Sequence, residues 1–304
     1  MSEQERNSGR NCETNLGDDT PFRLYNSDCL KKLDELNSNS VHLVITDPPY
    51  FIDGMGDDWD DTKLNNRVKE GVIKGLPSGM KFDTNQALQL ELYMTRVFRK
   101  IYSVLMPGGF AAVFSFPRLS FSMGSALDNV GFEIRDMLIW KRDAQTKAFS
   151  QDHFVKKMKI SDEAKKKILK QIDGKKTPQL RPQFECIQLA QKPKEGTYVE
   201  NWLKYKVGLM SPNETLFEGF PGNIIDVPKE KNGEINHFTV KPVKVMQQLI
   251  RLFSSEGQTV LDPFMGSGTT GLAALEEKRH FIGYEINQDY YDVARKRINN
   301  NFMK

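Results

Sequence analysis

Cysteine is scarce in this sequence, with Cys12, Cys29 and Cys186 an odd three set far apart. That excludes a disulfide framework and fits a reducing compartment such as the cytoplasm. Histidine is almost as rare: His42, His153, His237 and His280 are scattered at no metal-ligand spacing, so no metal site is expected. No apolar run approaches the ~18 residues that cross a bilayer, which argues against a membrane protein. Residues 1–20 carry no apolar core, so they read as a disordered polar tail and not as a signal peptide. Charge of neither sign dominates, because 43 Lys and Arg face 40 Asp and Glu, and a net +3 says little about partners by itself. A hydrophobic content of 38% with 27% charged residues is ordinary for a globular chain, and 304 residues suffice for one large domain or for one domain carrying an insertion.

What is present is an alternation of strands and helices. Phe22–Asn26 reads as a short strand, followed by a helix through about Leu36 that Ser27 or Asp28 caps. Val41–Ile45 is a β-branched apolar run and reads as a buried strand. From Ala87 to Met106, Phe98, Ile101, Tyr102 and Leu105 keep the helical i, i+3, i+4, i+7 spacing, and Pro107-Gly108-Gly109 is expected to end that helix. A strand over Phe110–Phe116, a helix over Leu119–Asn129 and a strand over Glu133–Trp140 follow. Further on, Asn223–Val227 returns the chain to the main sheet. Pro242 then opens a helix whose buried face is Met246, Leu249, Ile250 and Phe253. His280–Tyr284 is another strand, and Asn287–Asn301 is a closing helix with Tyr290, Ala294 and Ile298 on one face. Such alternation predicts an α/β fold with a mostly parallel sheet and crossover helices.

The alternation breaks in the middle. Gln151–Leu180 holds nine lysines against four acids, a surplus larger than that of the whole chain. Ile160, Ala164, Ile168 and Ile172 recur every four residues, which predicts an amphipathic helix with one packed and one cationic face, ending at Asp173-Gly174. Because this run interrupts an α/β pattern, Lys156, Lys157, Lys165, Lys166, Lys167 and Lys170 are candidate contacts to nucleic-acid phosphates; the plainer alternative is a solvated surface helix. Gln183–Ala190 reads as a strand. Residues 202–220 read as irregular, their aromatics Trp202, Tyr205, Phe217 and Phe220 serving either a small core or DNA.

Two motifs carry the chemistry. The first is Thr46-Asp47-Pro48-Pro49-Tyr50, directly after the Val41–Ile45 strand. The two prolines lack a backbone donor and stop the ladder. Asp47, the Pro48 carbonyl and the Tyr50 ring are then left at the carboxyl end of a strand, where open α/β sheets bind ligands. Two acceptors beside a flat ring suit a planar group with an exocyclic amine. The second is Asp262-Pro263-Phe264-Met265-Gly266-Ser267-Gly268-Thr269-Thr270-Gly271, which runs from an apolar strand through a glycine-rich turn into a helix reaching about Lys278. Gly266, Gly268 and Gly271 form G-x-G-x-x-G, and Glu285 ends the next strand, placed to hold ribose hydroxyls. No P-loop lysine follows the glycines, which excludes a nucleoside triphosphatase of that type. Between the motifs, Phe51–Lys81 is a long polar segment that reads as a lid, with Phe51 or Trp59 near the ligand. Its acids lack the ligand spacing of a calcium loop.

Both motifs resemble those of amino-group DNA methyltransferases. The likeness spans about Phe22 to the C-terminus, and the order, catalytic motif first and cofactor motif last, resembles the permuted β group of HinfI-like and RsrI-like enzymes. The resemblance implies an α/β, Rossmann-like, S-adenosylmethionine-dependent methyltransferase fold with a mixed, mostly parallel sheet and a basic DNA-recognition insertion. It divides the chain into a tail (1–20), a catalytic half (21–142), a target-recognition insertion (143–222) and a cofactor half (223–304). It implies Asp47, Pro48, Pro49 and Tyr50 as catalytic residues. For the cofactor it implies Asp28 and Cys29 near the adenine, Thr239 and Lys241 at the methionine carboxylate, and Asp262, Phe264, Gly266, Gly268, Glu285 and Ile286 around the remainder. The implied substrate is adenine in double-stranded DNA, flipped out of the helix, with a homodimer and a cognate restriction endonuclease as partners in a bacterial cytoplasm. Asp at position 47 favours adenine over the amino group of cytosine. A methyltransferase acting on RNA or protein, or a plain dinucleotide-binding module, stand as alternatives of other classes.

Overall fold

The computed structural model describes residues 20–49, 85–142, 148–178, 180–216, 218–227 and 241–302. The lid expected over Phe51–Lys81, the tail up to residue 19, and the candidates Tyr50 and Thr239 lie outside the described residues. Eight strands form one sheet in the order β1-β8-β7-β2-β3-β5-β4-β6. They are β1 (Phe22–Asn26), β2 (Val41–Thr46), β3 (Leu105–Ser115), β4 (Glu133–Lys141), β5 (Phe184–Gln191), β6 (Ile224–Ile225), β7 (Thr259–Asp262) and β8 (His280–Glu285). Seven run one way; β5 alone is antiparallel, to β3 on one side and β4 on the other. The sheet is therefore mixed and mostly parallel, as the alternation predicts. β5 also means that the middle of the chain supplies a strand to the main sheet.

Period-two side-chain alternation sends the strands' residues to two apolar layers, because both faces of a parallel sheet are covered. Leu43 and Ile45 of β2, with Phe110, Ala112 and Phe114 of β3, face one layer. There they meet α7 (Val243–Phe253), α8 (Thr269–Glu276) and α9 (Gln288–Phe302) through Met246, Leu249, Ala273, Ala294 and Ile298. Val44, Ala111 and Val113 face the other layer, against α2 (Asn85–Val104) and α3 (Ser120–Asp128) through Leu90, Met94, Phe98, Met123 and Ala126. Each fully buried Leu, Ile, Val, Met or Phe among them contributes roughly 1.5–3 kcal/mol.

Five expectations need correction. Pro107-Gly108-Gly109 does not end α2, which stops at Val104; it lies inside β3. Gly108 has φ +81° there, and the pairing with β2 jumps from Val41↔Leu105 to Leu43↔Phe110, so the glycines form a bulge. The lysine segment holds the expected helix as α5 (Asp162–Gln171), preceded by a short α4 (Asp152–Lys157) that ends where Met158 turns extended at ψ 141°, but the expected packed face is missing. No residue of α5 is buried, so its apolar edge is only half covered. The stretch after Thr197, expected to be irregular from Trp202 on, opens with α6 (Tyr198–Tyr205), started by a capping box between Thr197 and Glu200. In α9 it is Tyr291 that is buried, while Tyr290 is exposed. Before α2, α1 (Cys29–Lys32) is shorter than expected and passes into a 3-10 turn over Leu33–Glu35.

Candidate active site

The site follows from where the strands stop. The chain leaves β2 toward β3 on one side and leaves β7 toward β8 on the other, so the carboxyl ends of these adjacent strands open a crevice. Along this edge four neighbouring strands bring up an acid: Glu285 and Asp262 are the last residues of β8 and β7, Asp47 directly follows β2, and Asp28 comes two residues after β1. The two motifs recognised in sequence, over two hundred residues apart, meet here. Thr46 Oγ1 donates to Asp262 Oδ1 at 2.8 Å.

Asp262 is a brace more than a wall of the crevice. It is 3% exposed, and it accepts from Thr46, from the Phe264 amide at 3.0 Å and from Thr270 Oγ1 at 2.7 Å. One carboxylate thus ties β2 to both ends of the glycine turn. Burial, with a lesser push from Asp47, raises its pKa from 3.8 to about 7 against the pull of those donors. The turn itself needs glycine at 268, where φ is +81° and an added Cβ would lie 2.9 Å from the Ala294 methyl. Arg297 of α9 supports it from beneath, donating to the Ser267 carbonyl at 2.6 Å and to Ser267 Oγ at 3.0 Å.

The expected cofactor residues gather at the same edge. Glu285 accepts from the Gly266 amide at 2.9 Å and from the Asn287 amide at 2.9 Å. Ser27 donates to the Glu285 carbonyl at 3.0 Å, which sets Asp28 beside it. Asp28 caps α1 by accepting from the Leu30 amide at 2.9 Å, so the capping role read from sequence is present. Cys29 is buried beneath, its thiol pushed up by burial and then by Asp28, and so is not a surface of the crevice. Tyr93, a residue the sequence did not single out, shares a hydrogen bond with Cys29 and brings its ring centroid to 6.3 Å from that of Phe264. Phe264 and Gly266 are half-buried, Ile286 is exposed, and a Cβ on Gly266 would meet no atom within 4 Å. The open face of Gly266 and the Phe264 ring thus lie at the edge that carries the Asp28 and Glu285 carboxylates, acceptors of the kind that ribose hydroxyls would meet.

At the Asp-Pro-Pro end the structure adds Glu185 and Arg142, which sequence reasoning passed over, and sets Lys241, expected at the cofactor's carboxylate, beside Asp47. Asp47 is half-buried, Pro48 buried and Pro49 half-buried. The Lys241 ammonium is ion-paired to Asp47 Oδ2 and sits 3.1 Å from Glu185 Oε2. Glu185, near the start of β5, is ion-paired through its other oxygen to Arg142. Glu185 was detectable only as a charge at the head of an apolar strand. Away from the crevice, Lys156, Lys157, Lys166, Lys167 and Lys170 are exposed on α4 and α5; Lys165 is half-buried and lies 3.5 Å from Asp162. Among the described residues no cluster of His, Cys, Asp and Glu is built to hold a metal, and no helix is long and apolar enough to cross a membrane.

The DNA methylase family model of N6 and N4 methyltransferases matches residues 41–296. The chain belongs to this family. Type II methyltransferase M.HindIII of Haemophilus influenzae is 32% identical over 299 residues, covering 90% of this chain and 94% of that protein. Among solved structures, the M1.HpyAVI–SAM complex superposes with a TM-score of 0.54 at 19% identity, covering 91% of this chain and 99% of that one. PvuII DNA methyltransferase, cytosine-N4-specific, superposes with a TM-score of 0.62 at 16% identity, covering 93% of this chain and 91% of that one. At such identities these structures show the fold, a Rossmann-like methyltransferase fold, and the family membership rests on the sequence matches.

Proposed function

We propose that this DNA methylase is a site-specific enzyme that transfers a methyl group from S-adenosylmethionine to N6 of adenine in duplex DNA. The observation that carries the reading is the Thr46–Asp262 bond, which locks the Asp-Pro-Pro motif against the glycine turn at one sheet edge. Asp28, Glu285, Phe264 and Gly266 are the residues to hold the cofactor; that a SAM complex exists for the structural relative M1.HpyAVI supports the choice. Bound there, the cofactor would supply an electrophilic methyl group on its sulfonium.

The chain's own part is to make a poor nucleophile attack. The lone pair of a base amino nitrogen is conjugated with the ring. Asp47 and the Pro48 carbonyl, as two acceptors, draw both amino hydrogens and favour tetrahedral geometry at nitrogen, which frees the lone pair. This stabilises the transition state more than the ground state. Asp47 does not need to be a strong base, because the methylated ammonium sheds its proton readily. The target base leaves the duplex to arrive here, at a cost of a few kcal/mol that stacking on Tyr50 offsets in part. The exposed lysines of α4 and α5 give the phosphate contacts. Asp at position 47 supports adenine over cytosine. The motif order supports the β group, for which a homodimer and a cognate restriction endonuclease are the further expectations.

The test is Asp47→Ala. Label from methyl-labelled S-adenosylmethionine should enter DNA with the wild-type protein and not with the variant, while calorimetric binding of the cofactor is retained. Full transfer by Asp47→Ala would refute the acceptor role.

A further inference from the structure

We infer that Lys241, fixed by Glu185, is the positioning residue that sets the rotation of the Asp47 carboxylate for methyl transfer. The inference rests on the amino-methylation reading and deepens it. Lys241 is 8% exposed, and its backbone is anchored because the next residue, Pro242, caps α7, whose Val245, Met246 and Leu249 are buried in the core. Its ammonium lies 5.3 Å from the centroid of the buried Phe114 ring. The side chain therefore has little freedom to reach elsewhere. Two carboxylates meet it, Asp47 and the 6%-exposed Glu185, and Arg142 neutralises the second through its other oxygen. The four groups form a row of alternating sign, Arg142–Glu185–Lys241–Asp47.

A carboxylate rotates easily about its Cβ–Cγ bond. An ammonium held on Oδ2 removes that freedom and thereby fixes the direction of Oδ1. The acceptor role of Asp47 demands such a fixed direction, since misplacing a reacting group by about 1 Å can cost roughly a hundredfold in rate. Glu185 restrains Lys241 from the far side through charge alone, its Oε2 lying 3.1 Å from the ammonium without a hydrogen bond. Strand pairing in turn fixes Glu185, opposite Trp140 of β4. None of the three residues that build the row behind Asp47 belongs to either sequence motif.

The experiment measures kcat, the KM for DNA and cofactor affinity by calorimetry on purified full-length variants. Lys241→Met should lower kcat by about a hundredfold while the cofactor Kd stays within about twofold. Because that variant takes the cation away from the buried Oε2 of Glu185, the double variant Lys241→Met/Glu185→Gln is measured as well. It removes one charge of each sign and should regain thermal stability without regaining kcat. Lys241→Arg, which keeps a cation near both acceptors, should restore part of kcat, and Glu185→Gln alone should lower kcat by less than Lys241→Met does. A double variant with wild-type kcat would mean that Lys241 only neutralises Glu185, and would overturn the inference. A raised cofactor Kd with unchanged kcat would also overturn it, assigning Lys241 to the cofactor's carboxylate. A wild-type protein that transfers no methyl group to DNA would sink the functional reading, and this inference with it.

Discussion

Thr46→Val probes the contact on which the site depends. Valine keeps the shape and β-branching of threonine, so β2 should form as before, and only the hydroxyl is lost. Thr46 is fully buried and donates to Asp262 Oδ1 at 2.8 Å. A hydrogen bond to an ionised group is worth about 1.5–3 kcal/mol and one between neutral groups about 0.5–1.5 kcal/mol. Which value applies depends on Asp262, whose pKa stands near 7 and not at 3.8. For a carboxyl raised in this way, its contribution to stability is fully present below 3.8 and is lost as pH rises through about 7, since the folded state holds the proton longer. Removing a donor from the ionised form raises that pKa further. The cost of Thr46→Val should therefore grow with pH, from about 0.5–1.5 kcal/mol at about pH 5.5 to about 1.5–3 kcal/mol at about pH 8.5. Urea unfolding of both proteins at the two pH values measures it. In an Asp262→Asn background, which does not titrate, the pH dependence should vanish. A cost that is equal at both pH values, or larger in acid, would refute the placement of Asp262 as the buried titrating partner.

Two further substitutions test the cofactor turn and the basic surface. Gly268→Ala places a Cβ 2.9 Å from the Ala294 methyl at a φ of +81°, so it should destabilise the fold by at least about 1–2 kcal/mol and weaken cofactor binding, measured by calorimetry; unchanged affinity would show that the turn does not shape the pocket. Replacing Lys165, Lys166 and Lys167 with Gln should make the slope of log affinity against log salt shallower by about two, at roughly 0.9 per phosphate contact, with Lys165 contributing least because it is near Asp162. An unchanged slope would return α5 to the role of a solvated surface helix.

Local patterns were readable where local physics decides. The β-branched run at Val41 became β2, the helical spacing after Ala87 became α2, and Asp47 and Gly266 came to one edge because both motifs end strands of one sheet. What stayed hidden depends on contacts across long sequence distances. Pro107-Gly108-Gly109 looks like a helix stop, but Asn201 donates to the Pro107 carbonyl at 3.0 Å from ninety-four residues away and helps hold it within the strand. α6, which carries Asn201, has a legible capping box at Thr197 and Glu200, yet its place in the fold is set by that buried amide. The meeting of Asp47, Glu185 and Lys241 comes from strand order and from β5 running against its neighbours, and residue spacing does not encode it. In the lysine segment the four-residue period from Ile160 to Ile172 marked α5, but it did not extend to α4, which ends before Met158.

The most direct test of the account is to incubate the protein with mixed-sequence genomic DNA and methyl-labelled S-adenosylmethionine, digest the DNA to nucleosides and identify the labelled species by mass spectrometry. The account predicts label in N6-methyladenine. Label in N4-methylcytosine would contradict the assignment of adenine while leaving the amino chemistry in place, and DNA without a labelled base would contradict the account at its centre.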